Sequence, residues 1–121
     1  MQVSDRFPQK PANDDLYFIL SEHRRRAVIL LLAAAPQHTL SLESIAAMIY
    51  SLETGADLDQ VHGTASKSIK TNLKRSHKSR LTESQIINWE GDMLSPGPRF
   101  GEALSAVAPI GTWISPDPSK E

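Results

Sequence analysis

The sequence predicts a mainly helical single domain with one small β-hairpin, and three observations carry that expectation. Apolar residues recur at steps of three and four over residues 15–34 and again over 41–54. Lysines recur in the same way from Lys67 to Lys78. A β-branched and aromatic run, Ile86-Ile87-Asn88-Trp89-Glu90, then leads into the turn residues Gly91-Asp92. With 121 residues the chain is long enough for one compact core of three or four helices and too short for two.

Composition narrows the function classes. The net charge of −1 means that any nucleic-acid binding must come from local patches and not from the overall field. Absence of cysteine excludes disulfides, thiol catalysis and cysteine zinc sites, and fits a reducing compartment, so a cytoplasmic location is expected. The longest apolar run, residues 27–35, is far too short for a membrane span, and the chain reads as soluble with no membrane partner. Scattered glycines form neither a P-loop nor a dinucleotide pattern. His23, His38, His62 and His77 fall on separate elements with no carboxylate at fixed spacing. No metal, no cofactor and no enzymatic activity are therefore expected.

Residues 1–13 carry Pro8 and Pro11 with little apolar periodicity and read as an irregular arm. The domain proper is expected over 14–100. Asn13 or Asp14 offers a cap for a helix beginning at Asp15, and Leu16, Ile19, Leu20, Ala27, Leu30 and Leu31 share one face of a continuous wheel. His23 falls on that face too, as a packed or partly buried histidine. Ser21-Glu22 offers a second cap, so the segment is either one helix to about Ala34 or a short helix and a longer one. On the continuous wheel Arg25 points away from the core, with Arg24 and Arg26 flanking it. Contact with phosphate is expected for at least one of the three, because the forked guanidinium suits it; the alternative for each is a solvated face that keeps an apolar helix soluble.

Ala35-Pro36 closes that helix, and Ser41 caps a second one of about three turns. Leu42, Ile45, Ala46, Ile49 and Leu52 form its apolar face, and Gly55 stands at the C-terminal cap position. Residues 53–60 connect it to the most distinctive stretch, 61–80, which holds six of the thirteen Lys and Arg residues and no Asp or Glu. At about 100° per residue, Lys67, Lys70, Lys74 and Lys78 fall in one sector, a cationic ridge, with Val61, Ala65, Ile69 and Leu73 opposite and Asn72 and Ser76 among them. Asp59 or Thr64 is the expected cap. Arg80 lands on the apolar side and Leu81 on the lysine side, so the helix is expected to end near Lys78 or Ser79. A lysine row is often only a solvated face. Here no carboxylate is interleaved at i+4, and the acids Glu53, Asp57, Asp59 and Glu83 lie in the flanks.

The hairpin's return strand contains Pro96 and Pro98, so it is expected to be short or to resume near Arg99-Phe100. Trp89 should pack inward, and Arg99 is the expected contact at the hairpin tip. Residues 101–114, interrupted by Pro109 and Gly111, are apolar enough to pack on the domain or on a second copy, and 115–121 read as a tail.

Helix, helix, basic helix and two-stranded wing is the order of a winged helix-turn-helix. The arginine cluster followed by Val28-Ile29-Leu30-Leu31-Leu32 resembles the opening segment of ArsR-like regulators, and Ser41-Leu42-Glu43-Ser44-Ile45-Ala46 resembles their second element. Leu73, His77 and Leu81, with Ile86-Ile87-Asn88-Trp89-Glu90, resemble a winged-helix family common in haloarchaea, over about residues 14–92. That family's basic helix commonly runs into His-Leu-Pro-Lys-Leu; this chain has His77-Lys78-Ser79-Arg80-Leu81, so a different helix end is expected.

The resemblance implies sequence-specific binding of double-stranded DNA and regulation of transcription. Ser66, Lys67, Lys70, Thr71 and Lys74 are expected nearest to bases or phosphates, with Arg75, Lys78 and Arg80 completing the cationic set. Arg24, Arg25 and Arg26 would meet the adjoining backbone, and Arg99 would act from the wing. A homodimer is expected, because regulators of this fold commonly pair to read two half-sites. Its candidate surfaces are Leu104, Val107, Ile110, Trp113 and Ile114 at one end and Tyr17 and Phe18 at the other. The rival reading is an interaction or dimerisation module of the same fold that does not read DNA.

Overall fold

The first apolar stretch folds as two elements. In the computed structural model, which we describe for residues 16–61 and 63–114 with side chains to Ala108, a helical turn over 16–19 precedes α1 (His23–Ala34). The arm, the Asn13 or Asp14 cap, His62 and the tail lie outside the described residues. Leu16, Ile19 and Leu20 stand about half a turn from Val28, Ile29 and Leu32 on one continuous wheel, so an unbroken helix would bury only one set. The break near Ser21 lets both reach the core, and all six are buried. Ser21 Oγ donates to the Phe18 carbonyl at 2.6 Å and closes the first turn.

That break corrects three expectations. The face of α1 turned inward carries Val28, Ile29 and Leu32, whereas Ala27, Leu30 and Leu31 are only partly buried. Arg25 precedes Ile29 by four residues and Leu32 by seven, so it goes inward and is buried, not pointed away from the core. His23 stands on the other side and is exposed, not packed.

A two-residue strand, β1 (Leu40–Ser41), leads into α2 (Leu42–Thr54). Ser41 Oγ accepts from the Ser44 amide at 3.0 Å, and Gly55, at φ 82°, ends the helix with its amide on the Ser51 carbonyl at 2.8 Å. Leu42, Ile45, Ala46 and Ile49 are buried as the pattern predicts, but Leu52, at the far end, is exposed.

After a 3-10 turn (Leu58–Gln60) and a turn over 63–66, the basic helix α3 begins at Lys67, later than either expected cap. Val61 and Ala65 precede it. The helix is continuous but not uniform: Lys67–Asn72 is α, Leu73–His77 is a π turn, and Lys78–Glu83 is α again. Ile69, Leu73, His77 and Leu81 are all buried and all four apart. Steps of four drift by about 40° each on an α-helix, about 120° over the run, and the extra residue of a π turn takes back about 100°. Leu81 thereby returns to the core side and Arg80 to the surface, and the helix runs to Glu83 instead of stopping near Ser79.

Strands β2 (Ile87–Glu90) and β3 (Met93–Pro96) form the hairpin, and β1 joins it to make a three-stranded antiparallel sheet in the order β1-β3-β2. Leu40 pairs with Leu94 and Trp89 also stands opposite Leu94. The expected short return strand is four residues, with Pro96 at its end opposite Ile87. At the hairpin base the Gly97 amide donates to the Ile86 carbonyl at 2.8 Å, and a Cβ on Gly97 would lie 2.6 Å from the Gln85 carbonyl oxygen.

Arg99-Phe100 does not resume the strand; it opens α4 (Phe100–Ile114), which runs through Pro109 and Gly111 without interruption. Phe100, Ala103 and Val107, at steps of three and four, are buried, and α4 packs on α1. The result is one small, mainly helical domain, its core enclosed by α1, α2, α3, α4 and the sheet.

Candidate nucleic-acid interface

With Ile69 and Leu73 turned into the core, the opposite face of α3's first half looks outward. Lys67, Lys74 and Arg75 are exposed and Lys70 and Thr71 half-buried. Lys67, Lys70, Thr71 and Lys74 line one open groove of about 290 Å³ together with Gly63 and Thr64 of the preceding turn. Among the described residues none of these three lysines has a carboxylate partner. Ser66 is not part of this surface. It is 1 % exposed and its Oγ donates to the Gly63 carbonyl at 3.4 Å, so it packs beneath the start of the helix instead of facing a ligand.

The π turn divides the expected ridge. Residues after it are rotated by about 100° relative to an unbroken helix, which carries Lys78 from the Lys67 edge of the sector to its Lys70 edge, and Lys78 does not line the groove. Its ammonium lies 5.2 Å from the centroid of the half-buried Trp89 ring. Arg80 lies 4.9 Å from the Phe18 ring. Both are cation–π contacts, which hold each charge at the surface against an aromatic face.

The three consecutive arginines are fasteners. Arg24 donates from Nε and Nη2 to the two oxygens of Glu53 at 2.7 and 2.8 Å, and from Nη1 to Asn72 Oδ1 at 2.8 Å, joining α1 to α2 and α3. This bidentate bond holds the Glu53 carboxyl down to about 2, and Glu53 in turn raises the Arg24 guanidinium. Exposed His23 lies 3.0 Å from the same carboxylate. Arg25 donates from Nε to His77 Nδ1 at 2.8 Å and from Nη1 to the Ile19 carbonyl at 3.2 Å. Burial lowers its pKa, yet a guanidinium starts so high that it stays charged. Arg26 donates to the Leu20 carbonyl at 2.7 Å and is half-buried. The carbonyls freed by the break before α1 are thus capped by arginine side chains.

Since arginine only donates, His77 Nδ1 must accept, and its proton sits on Nε2, which donates to Asn72 Oδ1 at 3.1 Å. Burial first, and Arg25 second, push the His77 pKa below its ordinary value. Glu53, Asn72 and His77 were not expected at the site. The signal for Asn72 is a polar residue on the apolar side of the basic helix, whereas His77 falls beside Lys70 on a regular wheel and Glu53 stands on another helix, α2.

The hairpin tip carries no cation. Glu90, Gly91 and Asp92 are exposed there, and the Asp92 carbonyl accepts from the Leu42 amide at 2.7 Å. Arg99 stands at the opposite end, at the hairpin base, with its amide on the Gln85 carbonyl at 2.8 Å and its guanidinium on Glu102 at 2.9 and 3.2 Å. That bond holds the Glu102 carboxyl below its usual range. Arg99 is therefore not the tip contact that the sequence suggested.

Of the expected dimer surfaces, Tyr17 is 72 % and Phe18 53 % exposed. Val107 is buried within its own chain and Leu104 packs partly against the core, while the side chains of Ile110, Trp113 and Ile114 lie outside the described residues. Among the described residues, no three His, Asp or Glu side chains converge as metal ligands, and no helix is long and apolar enough to cross a membrane. Neither the curated proteins nor the solved structures yield a match to this chain. The family model described as a domain of unknown function, DUF7344, matches residues 17–93, well over half of the sequence, and the chain belongs to that family.

Proposed function

We propose that the chain is a winged helix-turn-helix domain that binds double-stranded DNA sequence-specifically and regulates transcription. The element order supports this reading: helix, short strand, helix, basic helix and hairpin, with the short strand completing the hairpin's sheet. The single observation that carries it is the groove on α3, where Lys67, Lys70 and Lys74 stand without carboxylate partners among the described residues, beside the hydroxyl of Thr71. Lysines along one face of a helix can neutralise phosphates beside the major groove, and a threonine hydroxyl among them can bond a base edge. With Arg24, Arg25 and Arg26 engaged internally and the hairpin tip acidic, the first half of α3 carries most of the contact.

Duplex binding measured against salt concentration tests this. The logarithm of affinity should fall linearly with the logarithm of salt, and Lys67→Ala with Lys70→Ala should lower the slope by about one for each phosphate that is no longer neutralised. Unchanged affinity and slope would transfer support to the interaction module, which the exposed Tyr17 and Phe18 rings favour. The same titration gives the stoichiometry: two chains per site are expected of a homodimer pairing through those rings, and one chain overturns the pairing.

A further inference from the structure

The basic helix is fastened to α1 through one imidazole. His77 is 5 % exposed and ends the π turn at φ −121° and ψ −27°, away from regular helix geometry. Its Nδ1 accepts from Arg25 and its Nε2 donates to Asn72, so both nitrogens are used by one neutral tautomer. A proton added to Nδ1 would set N–H against N–H at the 2.8 Å contact and a cation against a cation. The charged groups around it do not offset this. From α1 and its cap come Arg25, Arg24, His23 and Glu22, and from α2 comes Glu53, already held by Arg24. The 16–20 turn presents the Ile19 carbonyl, which Arg25 occupies, and on its own helix the neighbours are Asn72 and Ser76, with Lys74 and Lys78 beyond.

We propose that His77 is a proton-sensitive lock on the basic helix: proton uptake at Nδ1 breaks the Arg25 bond, releases the π turn and frees α3 from the angle and register at which it is held to α1 and presents Lys67, Lys70 and Lys74. The functional consequence, weaker DNA binding in acid, rests on the DNA-binding reading; the lock itself does not. Geometry explains why one bond has this leverage. The π turn separates the lysine groove from the half of α3 that packs on β2, so losing its extra residue rotates one half against the other by about 100°. Burial keeps the lock closed at neutral pH and moves its opening to the acid side of the ordinary histidine range.

The sign of the effect is diagnostic. Protonation of any other histidine adds positive charge and tightens binding to a polyanion, whereas opening the lock loosens it. Two titrations from about pH 7.5 to about pH 5 read it: NMR of the free chain, following the imidazoles and the amides of residues 67–83, and anisotropy with duplex DNA at constant ionic strength. His77→Gln keeps an acceptor for Arg25 and a donor for Asn72 but takes up no proton; His23→Gln is the control. We expect the Nε2–H tautomer at neutral pH, amides of 73–83 that move with His77 protonation, and an affinity loss on acidification of at most about tenfold per pH unit, the limit for one proton. His77→Gln should hold its affinity or gain, and His23→Gln should follow the native chain. Protonation of His77 with no change in the α3 amides overturns the lock, as does affinity that rises in acid in the native chain and His77→Gln alike. A chain that binds no duplex at any pH defeats the DNA reading, and the amide titration of the native chain then decides the lock alone.

Discussion

Replacing Leu81 by alanine tests the phase of the basic helix directly. Eight residues after Leu73, Leu81 would stand about 80° round an unbroken α-helix, on the lysine side, where truncation costs almost nothing. With the π turn it comes within about 20° of Leu73 and is fully buried. Truncation removes about three methylene equivalents at about 0.8 kcal/mol each, about 2.4 kcal/mol. The cavity left in a close-packed core raises this to about 3–4 kcal/mol. Arg80→Ala is the mirror experiment: a straight helix buries that position, whereas here the change removes only surface stacking on Phe18, worth less than about 1 kcal/mol. Urea unfolding followed by far-ultraviolet circular dichroism gives both values at an unchanged denaturant slope. If Leu81→Ala falls within about 0.5 kcal/mol of the native chain, or Arg80→Ala costs more than Leu81→Ala, the π turn and the register built on it are wrong.

Two further substitutions separate tight from tolerant positions. Gly97→Ala places a Cβ 2.6 Å from the Gln85 carbonyl oxygen and should cost about 2 kcal/mol or more by forcing the hairpin base apart, while Gly101→Ala, with nothing within 4 Å, should be neutral or stabilise α4 by up to about 1 kcal/mol; equal melting shifts would contradict this. Glu53→Gln should destabilise at neutral pH by about 1 kcal/mol, a value discounted from the full pKa shift because the carboxylate is partly solvated. The folded pKa of about 2 lies below the unfolded 4.5, so this stability is complete above about pH 4.5 and is lost as pH falls toward 2; a gap between native chain and variant that persists undiminished at about pH 3 refutes the assignment.

How far the fold was legible depended on whether one periodicity sufficed. The Ser41 and Gly55 caps and the core face of α2 follow from a regular pattern with regular ends. The segment before it carries apolar residues on nearly every side from Ala27 to Ala35, so periodicity could not choose which side faces inward. The choice is made by Leu16, Ile19 and Leu20, which reach the core only if the chain breaks first. β1 was invisible for another reason: two residues carry no pattern, and Leu40–Ser41 becomes a strand only because β3 lies beside it. The π turn did leave a trace, in four buried positions spaced by four with no step of three, which an α-helix cannot keep on one side.

At the candidate interface the sequence located the cations but not their partners. Three consecutive arginines and a spaced row of lysines read alike as positive charge, and their fates diverge through shape and hydration. A guanidinium is planar, weakly hydrated and able to serve several acceptors at once, so Arg24 joins two helices to its own, and Arg25 enters the core satisfied by an imidazole and a carbonyl. An ammonium is strongly hydrated and resists burial, so Lys67, Lys70 and Lys74 stay outward on the helix that the arginines hold in place. The charges that fix α3 are therefore separate from the charges it presents. Substitution among the lysines should change what the surface attracts and leave the fold, while substitution among the arginines should change the angle and register at which that surface is offered.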